Sequence, residues 1–218
     1  MSVKKIWLTV LNTISAYQSE TLFMKDKKII SGLIISIIAM IIDQAIKLLI
    51  IKNFELHEEK KVLGDIFTLY YIRNTGSAWG MLSGHTWLLV IVSLLAIFII
   101  GYVYCNLSDK KYTILRVCLA LILGGAIGNL IDRIRLKYVV DYLYFKLIDF
   151  PVFNFADICV TVPVGLLIIL LIFKYNGNDF DVIMGEKIIN ENGEYIDKKS
   201  QKEESKIESQ KEESEASE

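Results

Sequence analysis

The sequence predicts an α-helical integral membrane protein: a four-transmembrane-helix bundle with a small extracytoplasmic β element. Three observations carry this. The chain of 218 residues is 53% hydrophobic, with a mean hydropathy of +0.43, more apolar than an average soluble domain. Its apolar residues are gathered into four runs, each close to the ~20 residues that cross a bilayer core. Between the first two runs lies a stretch of another kind, Asn53 to Thr86, in which polar and apolar residues alternate.

Ile29 to Ile51 is the first span. Asp43, Gln44 and Lys47 interrupt its second half. Asp43 and Lys47 stand four apart on one helix face and can pair. Two arrangements fit: a polar cluster at the outer end with Lys47 snorkelling to the interface, or an ion pair facing the bundle interior. In the stretch that follows, Ile66-Phe67-Thr68-Leu69-Tyr70-Tyr71-Ile72 is rich in β-branched and aromatic residues and predicts a short strand or two. Arg73-Asn74-Thr75-Gly76-Ser77-Ala78-Trp79-Gly80 comes next. Its small residues and glycines suit a tight turn or a backbone lying close to a ligand. Trp79 and Trp87 are expected as interface anchors.

Trp87 to Cys105 is the second span and Tyr112 to Ile131 the third, joined by a polar turn containing Asp109, Lys110 and Lys111. The third carries Gly124-Gly125-Ala126-Ile127-Gly128, small enough for helices to approach closely. Lys137 to Val152 is expected to be a loop outside the membrane. Asn154 to Phe173 is the fourth span, with Pro163 inside it, which should kink the helix or be covered by neighbours.

The chain therefore divides into a cytoplasmic N-terminal extension (1–28), a four-span domain (29–173) and a disordered, charged cytoplasmic tail (174–218). The extension holds Lys4, Lys5, Lys25, Lys27 and Lys28 around a modest apolar patch and is expected to include a short helix lying on the membrane. In the tail, Gln201-Lys202-Glu203-Glu204-Ser205 recurs as Gln210-Lys211-Glu212-Glu213-Ser214, low-complexity sequence too polar to order itself. An even number of spans puts both termini on one side. Lys25, Lys27, Lys28, Lys110, Lys111 and Lys174 flank that side and assign it to the cytoplasm, with the polar motifs at the outer face.

Composition excludes several function classes. A formal net charge of −1 gives no nucleic-acid signal. Cys105, Cys118 and Cys159 lie in apolar runs without CxxC spacing, so neither a disulfide framework nor a zinc site is expected. His57-Glu58-Glu59-Lys60-Lys61 begins like a zinc-protease helix, but Lys61 stands where the second histidine is required. No metal or cofactor is expected.

The chemistry is concentrated between Gly128 and Asp157. Asn129, Asp132 and Arg133 share one helix face at the end of the third span, and Asn154 and Asp157 open the fourth. Asp141 lies between them, sixteen positions from Asp157, which is ample for the chain to loop back. Two close carboxylates cannot both ionise easily, so one keeps its proton while the other stays charged. The charged one can take a proton from water and the neutral one can protonate a carbonyl oxygen, the general acid–base logic of an aspartic protease. Asp132 beside Arg133, and Asp43 near Lys47, also read as structural ion pairs.

These residues identify a family. The chain resembles bacterial lipoprotein signal peptidase, the type II signal peptidase. The resemblance covers roughly residues 29–173. It rests on Asp43-Gln44-x-x-Lys47, Asn74 to Gly80, Gly128-Asn129-Leu130-Ile131-Asp132-Arg133, Val139-Val140-Asp141, and Phe153-Asn154-Phe155-Ala156-Asp157, in that order. It implies a membrane aspartic endopeptidase that cleaves prolipoproteins just before a diacylglyceryl-modified cysteine. Implied partners are those substrates, membrane lipids and globomycin-type inhibitors, with no nucleic acid, for a chain acting as a monomer. By motif, Asp141 and Asp157 would be the catalytic pair. Asn129, Arg133 and Asn154 would orient the pair or substrate, and Asn74 and Gly76 would belong to a β element and loop over the cleft. Asp43, Lys47 and Asp132 would support the structure, Asp132 being the contender for the role of Asp141. Ser77 stands where Ala is usual, Ile46 where a hydroxyl residue is common, Ile158 where Ser is frequent, and Pro163 replaces a usual Gly. The competing classes are a small proton- or ion-pathway protein, in which intramembrane acids line a path, and a non-catalytic membrane assembly factor.

Overall fold

The computed structural model describes residues 29–77, 81–107, 109–190 and 193–200. The expectations for residues 1–28, for Trp79 and for the repeat beyond 200 lie outside the described residues. Among the described residues, four helices are long and apolar enough to cross a membrane: α1 (Ile29–Asn53), α2 (Thr86–Asn106), α3 (Thr113–Leu136, preceded by a 3-10 turn Lys110–Tyr112) and α4 (Phe155–Phe173).

The third helix is the axis of the bundle, and the reason is its small residues. Ala120, Gly124 and Gly128 recur every four positions and form a groove for α1. Ser36 Oγ donates to the Ala120 carbonyl at 2.7 Å, and a Cβ on Gly124 would collide with the Ser36 backbone and Ala39. One position round the helix, Gly125 lies against the Ala156 carbonyl and Cys159 of α4. Lipid tails supply no hydrophobic drive between helices, so this close backbone packing, with the hydrogen bonds made across it, joins α1 and α4 to α3. Pro163 is buried and α4 runs through it unbroken.

The segments at the motif end form a three-stranded antiparallel sheet in the order β1 (Glu59–Leu63), β2 (Phe67–Asn74), β3 (Val139–Phe145). Strands β1 and β2 occupy the stretch expected to hold a strand or two. The third strand lies where a loop is expected. Val139-Val140-Asp141-Tyr142-Leu143-Tyr144-Phe145 has the β-branched and aromatic content of a strand, and β2 supplies the partner edge. The register sets Ile72 opposite Asp141 and Asn74 opposite Val139, bringing both polar residues to one end of the sheet.

The expectation of a disordered tail from residue 174 onward is corrected for 174–190 and 193–200. Helix α5 (Gly177–Met184) and a hairpin of β4 (Lys187–Ile189) and β5 (Tyr195–Asp197) dock on the opposite end of the bundle. Val182 and Ile183 pack with Tyr104, Leu107, Tyr112 and Leu115. Asn176 and Asp179 form a reciprocal capping box at the start of α5. Asp179 is fully buried, and its Oδ1 accepts from Lys111 Nζ (2.5 Å), Tyr112 OH (2.7 Å) and Tyr195 OH (2.8 Å). A few apolar anchors and one saturated carboxylate therefore order a segment whose average composition is polar.

Candidate active site

Asp141 reaches the site from β3 and Asp157 from the first turn of α4. Asp141 is 2% exposed, whereas Asp157 is half-buried and the more accessible of the two. Burial, together with the negative charge of Asp157 beside it, pushes the Asp141 carboxyl up to about 7, against the opposing hydrogen bonds from Asn74 and Asn154.

Three asparagine amides hold the two carboxylates, and each is oriented by what its oxygen accepts. Asn74 Oδ1 accepts from the Gly76 N–H (2.9 Å), leaving Nδ2 to donate to Asp141 Oδ2 (2.9 Å). Asn154 Oδ1 accepts from the Asp157 N–H (3.0 Å), leaving Nδ2 to donate to Asp141 Oδ1 (2.7 Å) and to Asn129 Oδ1 (3.1 Å). Asn129 Oδ1 also accepts from Lys47 Nζ (2.8 Å), leaving its Nδ2 to donate to Asp157 Oδ1 (2.9 Å). An amide whose oxygen is engaged by an N–H has only its NH2 to offer a carboxylate. The second oxygen of Asp157 accepts the Asn154 backbone N–H (3.0 Å), closing the capping box of α4.

Behind the carboxylates lies a buried ionic layer. Lys47 Nζ meets Asp43 Oδ2 (2.9 Å), Asp132 Oδ2 (3.0 Å) and Asn129 Oδ1, so all three ammonium protons have acceptors. Asp43 and Lys47 are 0% and 2% exposed, which settles the open alternatives for this pair in favour of the bundle interior. Asp132 pairs with Lys47, and this corrects the expectation that Arg133 is its partner. The ammonium approaches from α1, while the Arg133 guanidinium extends to the Gly76 carbonyl (3.4 Å). Asp132 also receives Gln44 Nε2 on Oδ1 (3.0 Å) and the Val140 N–H on Oδ2 (3.2 Å), fixing the start of β3 one residue before Asp141.

The first turn of α4 has three N–H groups without intrahelical partners, and three different segments satisfy them. Phe155 N–H donates to the Tyr142 hydroxyl (3.2 Å), Ala156 N–H to Asp43 Oδ1 (3.1 Å) and Asp157 N–H to Asn154 Oδ1. Asp43 thus acts on α4 as well as on Lys47. The site residues named from sequence come together: Asp141, Asp157, Asn74, Gly76, Asn129, Asn154 and Arg133 in front, Asp43, Lys47 and Asp132 behind. Sequence reasoning missed Gln44 and Tyr142 as site residues. Gln44 was visible as a polar interruption of an apolar run, whereas nothing local distinguishes Tyr142 from a core aromatic.

A cavity of about 320 Å³ opens beside Asn74, with Arg73, Thr75, Ser83 and Pro151 among its walls. The arrangement is that of two neighbouring carboxylates, one at an accessible edge, preorganised by amides and backbone N–H groups. It can share one proton and move a second to or from a bound carbonyl compound.

Residues 35–173 match the family model described as "Signal peptidase (SPase) II". The chain is 44% identical over 143 residues to a lipoprotein signal peptidase of Symbiobacterium thermophilum, covering 65% of this chain and 93% of that one. It is 40% identical over 150 residues to one of Lactobacillus gasseri, covering 69% and 97%. Among solved structures it is similar to a bacterial membrane enzyme determined by the in meso method at 2.3 Å, with TM-score 0.60, 30% identity and coverage of 65% and 87%. A second such structure, at 1.9 Å, gives 0.59, 30%, 66% and 94%. Neither the ion-pathway nor the assembly-factor alternative is favoured by these likenesses. The chain belongs to the signal peptidase II family, multi-pass membrane aspartic peptidases that remove signal peptides from prolipoproteins.

Proposed function

We propose that Asp141 and Asp157 are the acid–base pair of this peptidase. The observation that carries the reading is the position of Asn154, whose side chain donates to Asp141 and whose backbone N–H donates to Asp157. One residue thus fixes both carboxylates in a single frame. With one proton on the pair, the ionised carboxylate takes a proton from water as its oxygen attacks the scissile carbonyl carbon, and the neutral one protonates the carbonyl oxygen. Collapse of the tetrahedral intermediate breaks the C–N bond. As the carbonyl re-forms, one hydroxyl of the intermediate returns its proton to the ionised carboxylate while the other carboxyl gives its proton to the leaving amine, so the pair ends with the single proton it began with.

Asn74, Gly76, Asn129 and Arg133 orient the pair and the substrate, and Asp43, Lys47 and Asp132 hold the frame. The scissile bond precedes a diacylglyceryl-modified cysteine whose lipid stays in the leaflet. The chain acts as a monomer in the bacterial cytoplasmic membrane, with both termini in the cytoplasm and the site at the outer face. A globomycin-type cyclic peptide would compete for the same cleft. The test is to present the purified protein, in lipid, with a prolipoprotein carrying the diacylglyceryl group and with the same protein lacking it. The reading requires a new N-terminus at the modified cysteine and no cut in the unmodified chain. Equal cutting of both would overturn the substrate assignment.

A further inference from the structure

The end of the sheet remote from Asp141 is apolar and exposed. Leu63, Ile66, Phe145, Leu147, Ile148 and Phe150 are all exposed there, Leu147 at 71% and Ile148 at 69%. They form one surface. The Leu147 N–H donates to the Ile66 carbonyl (3.4 Å), Phe67 and Phe145 pair across the strands with ring centroids 5.0 Å apart, and the Phe150 N–H donates to the Phe145 carbonyl (3.1 Å). An exposed cluster of this kind on a monomer marks a surface with a partner.

Its surroundings identify the partner. Phe150 packs edge-on against Phe153 at 5.7 Å, and Phe153 stands two residues before α4 enters the membrane. The apolar tip is therefore continuous with the lipid-facing surface of a span. Of the charged groups beside it, Lys61 pairs with Asp65 (2.6 Å) and Lys146 with Glu59 (2.7 Å), while the Asp149 carboxylate accepts from the Tyr144 hydroxyl (2.6 Å). We infer that the tip formed by Leu63, Ile66, Leu147 and Ile148 inserts into the acyl–glycerol boundary of the leaflet adjoining the site, so that the sheet is held to the membrane at both ends. Asp141 lies four residues from Phe145 on β3, roughly 14 Å along the strand. Anchoring the tip therefore sets the height of the cleft relative to the leaflet from which a lipid-modified substrate arrives. This consequence rests on the proposed function, whereas the insertion does not.

Two arms test it separately. In the first, Ile148→Cys is combined with Cys105→Ala, leaving the buried Cys118 and Cys159. It is labelled with an environment-sensitive nitrobenzoxadiazole dye and reconstituted in phosphatidylcholine nanodiscs. Insertion predicts blue-shifted emission, quenched more strongly by lipid spin-labelled near the glycerol than by aqueous iodide, at every protein-to-lipid ratio. Water-like emission quenched by iodide, or protection that grows with protein density as a second copy would give, overturns the proposal. In the second arm, the double variant Leu147→Asp/Ile148→Asp is assayed on bilayer-borne and detergent-dispersed prolipoprotein. The KM for the bilayer substrate should rise about tenfold with kcat unchanged and no change in detergent. An unchanged KM in bilayers overturns the role in setting cleft height. Loss of cutting by the parent protein in both media would instead count against the proposed activity.

Discussion

The side-chain amide of Asn154 donates to Asp141 at 2.7 Å while its oxygen accepts the N–H of Asp157, the other carboxylate of the site. Asn154 is a helix cap and a site residue at once. Asn154→Ala should lower kcat on the order of 100-fold through misplacement of the pair. Loss of the cap should also lower stability by about 1 kcal/mol. Single-turnover kinetics and a melting curve in the same detergent separate the two effects.

The pair should give a pH profile with an alkaline limb. Burial and the Asp157 charge raise the Asp141 carboxyl to about 7, so the singly protonated pair is lost as pH rises through that region, and kcat/KM should fall there. Asn74 donates to Asp141 and favours its ionised form. Asn74→Ala should therefore move the alkaline limb to higher pH, in addition to slowing turnover. An unmoved limb would detach that ionisation from Asp141.

Gly128 has no room for a side chain, because a Cβ there would meet the Asp43 carboxylate. Gly128→Ala should force apart α1 and α3 at the Asp43–Lys47 pair and cost about 1–3 kcal/mol. Gly165 has open space around it, so Gly165→Ala should cost nothing by this mechanism. Thermal midpoints of the two variants in one detergent check the contrast.

The folded segment after α4 makes a separate prediction. Burial disfavours the ionised form of Asp179, but hydrogen bonds from Lys111, Tyr112, the Asn176 backbone and Tyr195 outweigh it and hold the carboxyl at about 2, below its ordinary 3.8. A depressed folded value stabilises the ionised state above the ordinary carboxylate range, and that stability is lost as pH falls from about 4 to about 2. It amounts to about 2 kcal/mol. Hydrogen exchange of α5 amides should accelerate over that window, and Asp179→Asn should show fast exchange already at pH 7.

Hydropathy made the four spans legible, because length and apolar content alone define a span. Spacing made most of the site legible, because Asn129-x-x-Asp132-Arg133 and Asn154-x-x-Asp157 declare one helix face each. Contacts made across the fold were not legible. Asp132 has a cation next to it in the chain, but the one it pairs with is Lys47, 85 positions earlier. Strand β3 carried its own composition signal, yet its status depended on β2 offering an edge. The segment after Lys174 looked disordered because its average polarity hides Tyr175, Val182 and Ile183, which find an apolar surface only when α2 and α3 are side by side.

The central claim is that Asp141 and Asp157 together carry the chemistry. It is tested most directly by replacing each aspartate with asparagine and following prolipoprotein processing in cells that lack their own type II signal peptidase, with folding checked by the melting of the purified variants. The account predicts that Asp141→Asn and Asp157→Asn fold but leave the precursor uncut, while Asp132→Asn loses stability yet still cuts. Normal processing by either of the first two, or a folded but inactive Asp132→Asn beside an active Asp141→Asn, would contradict it.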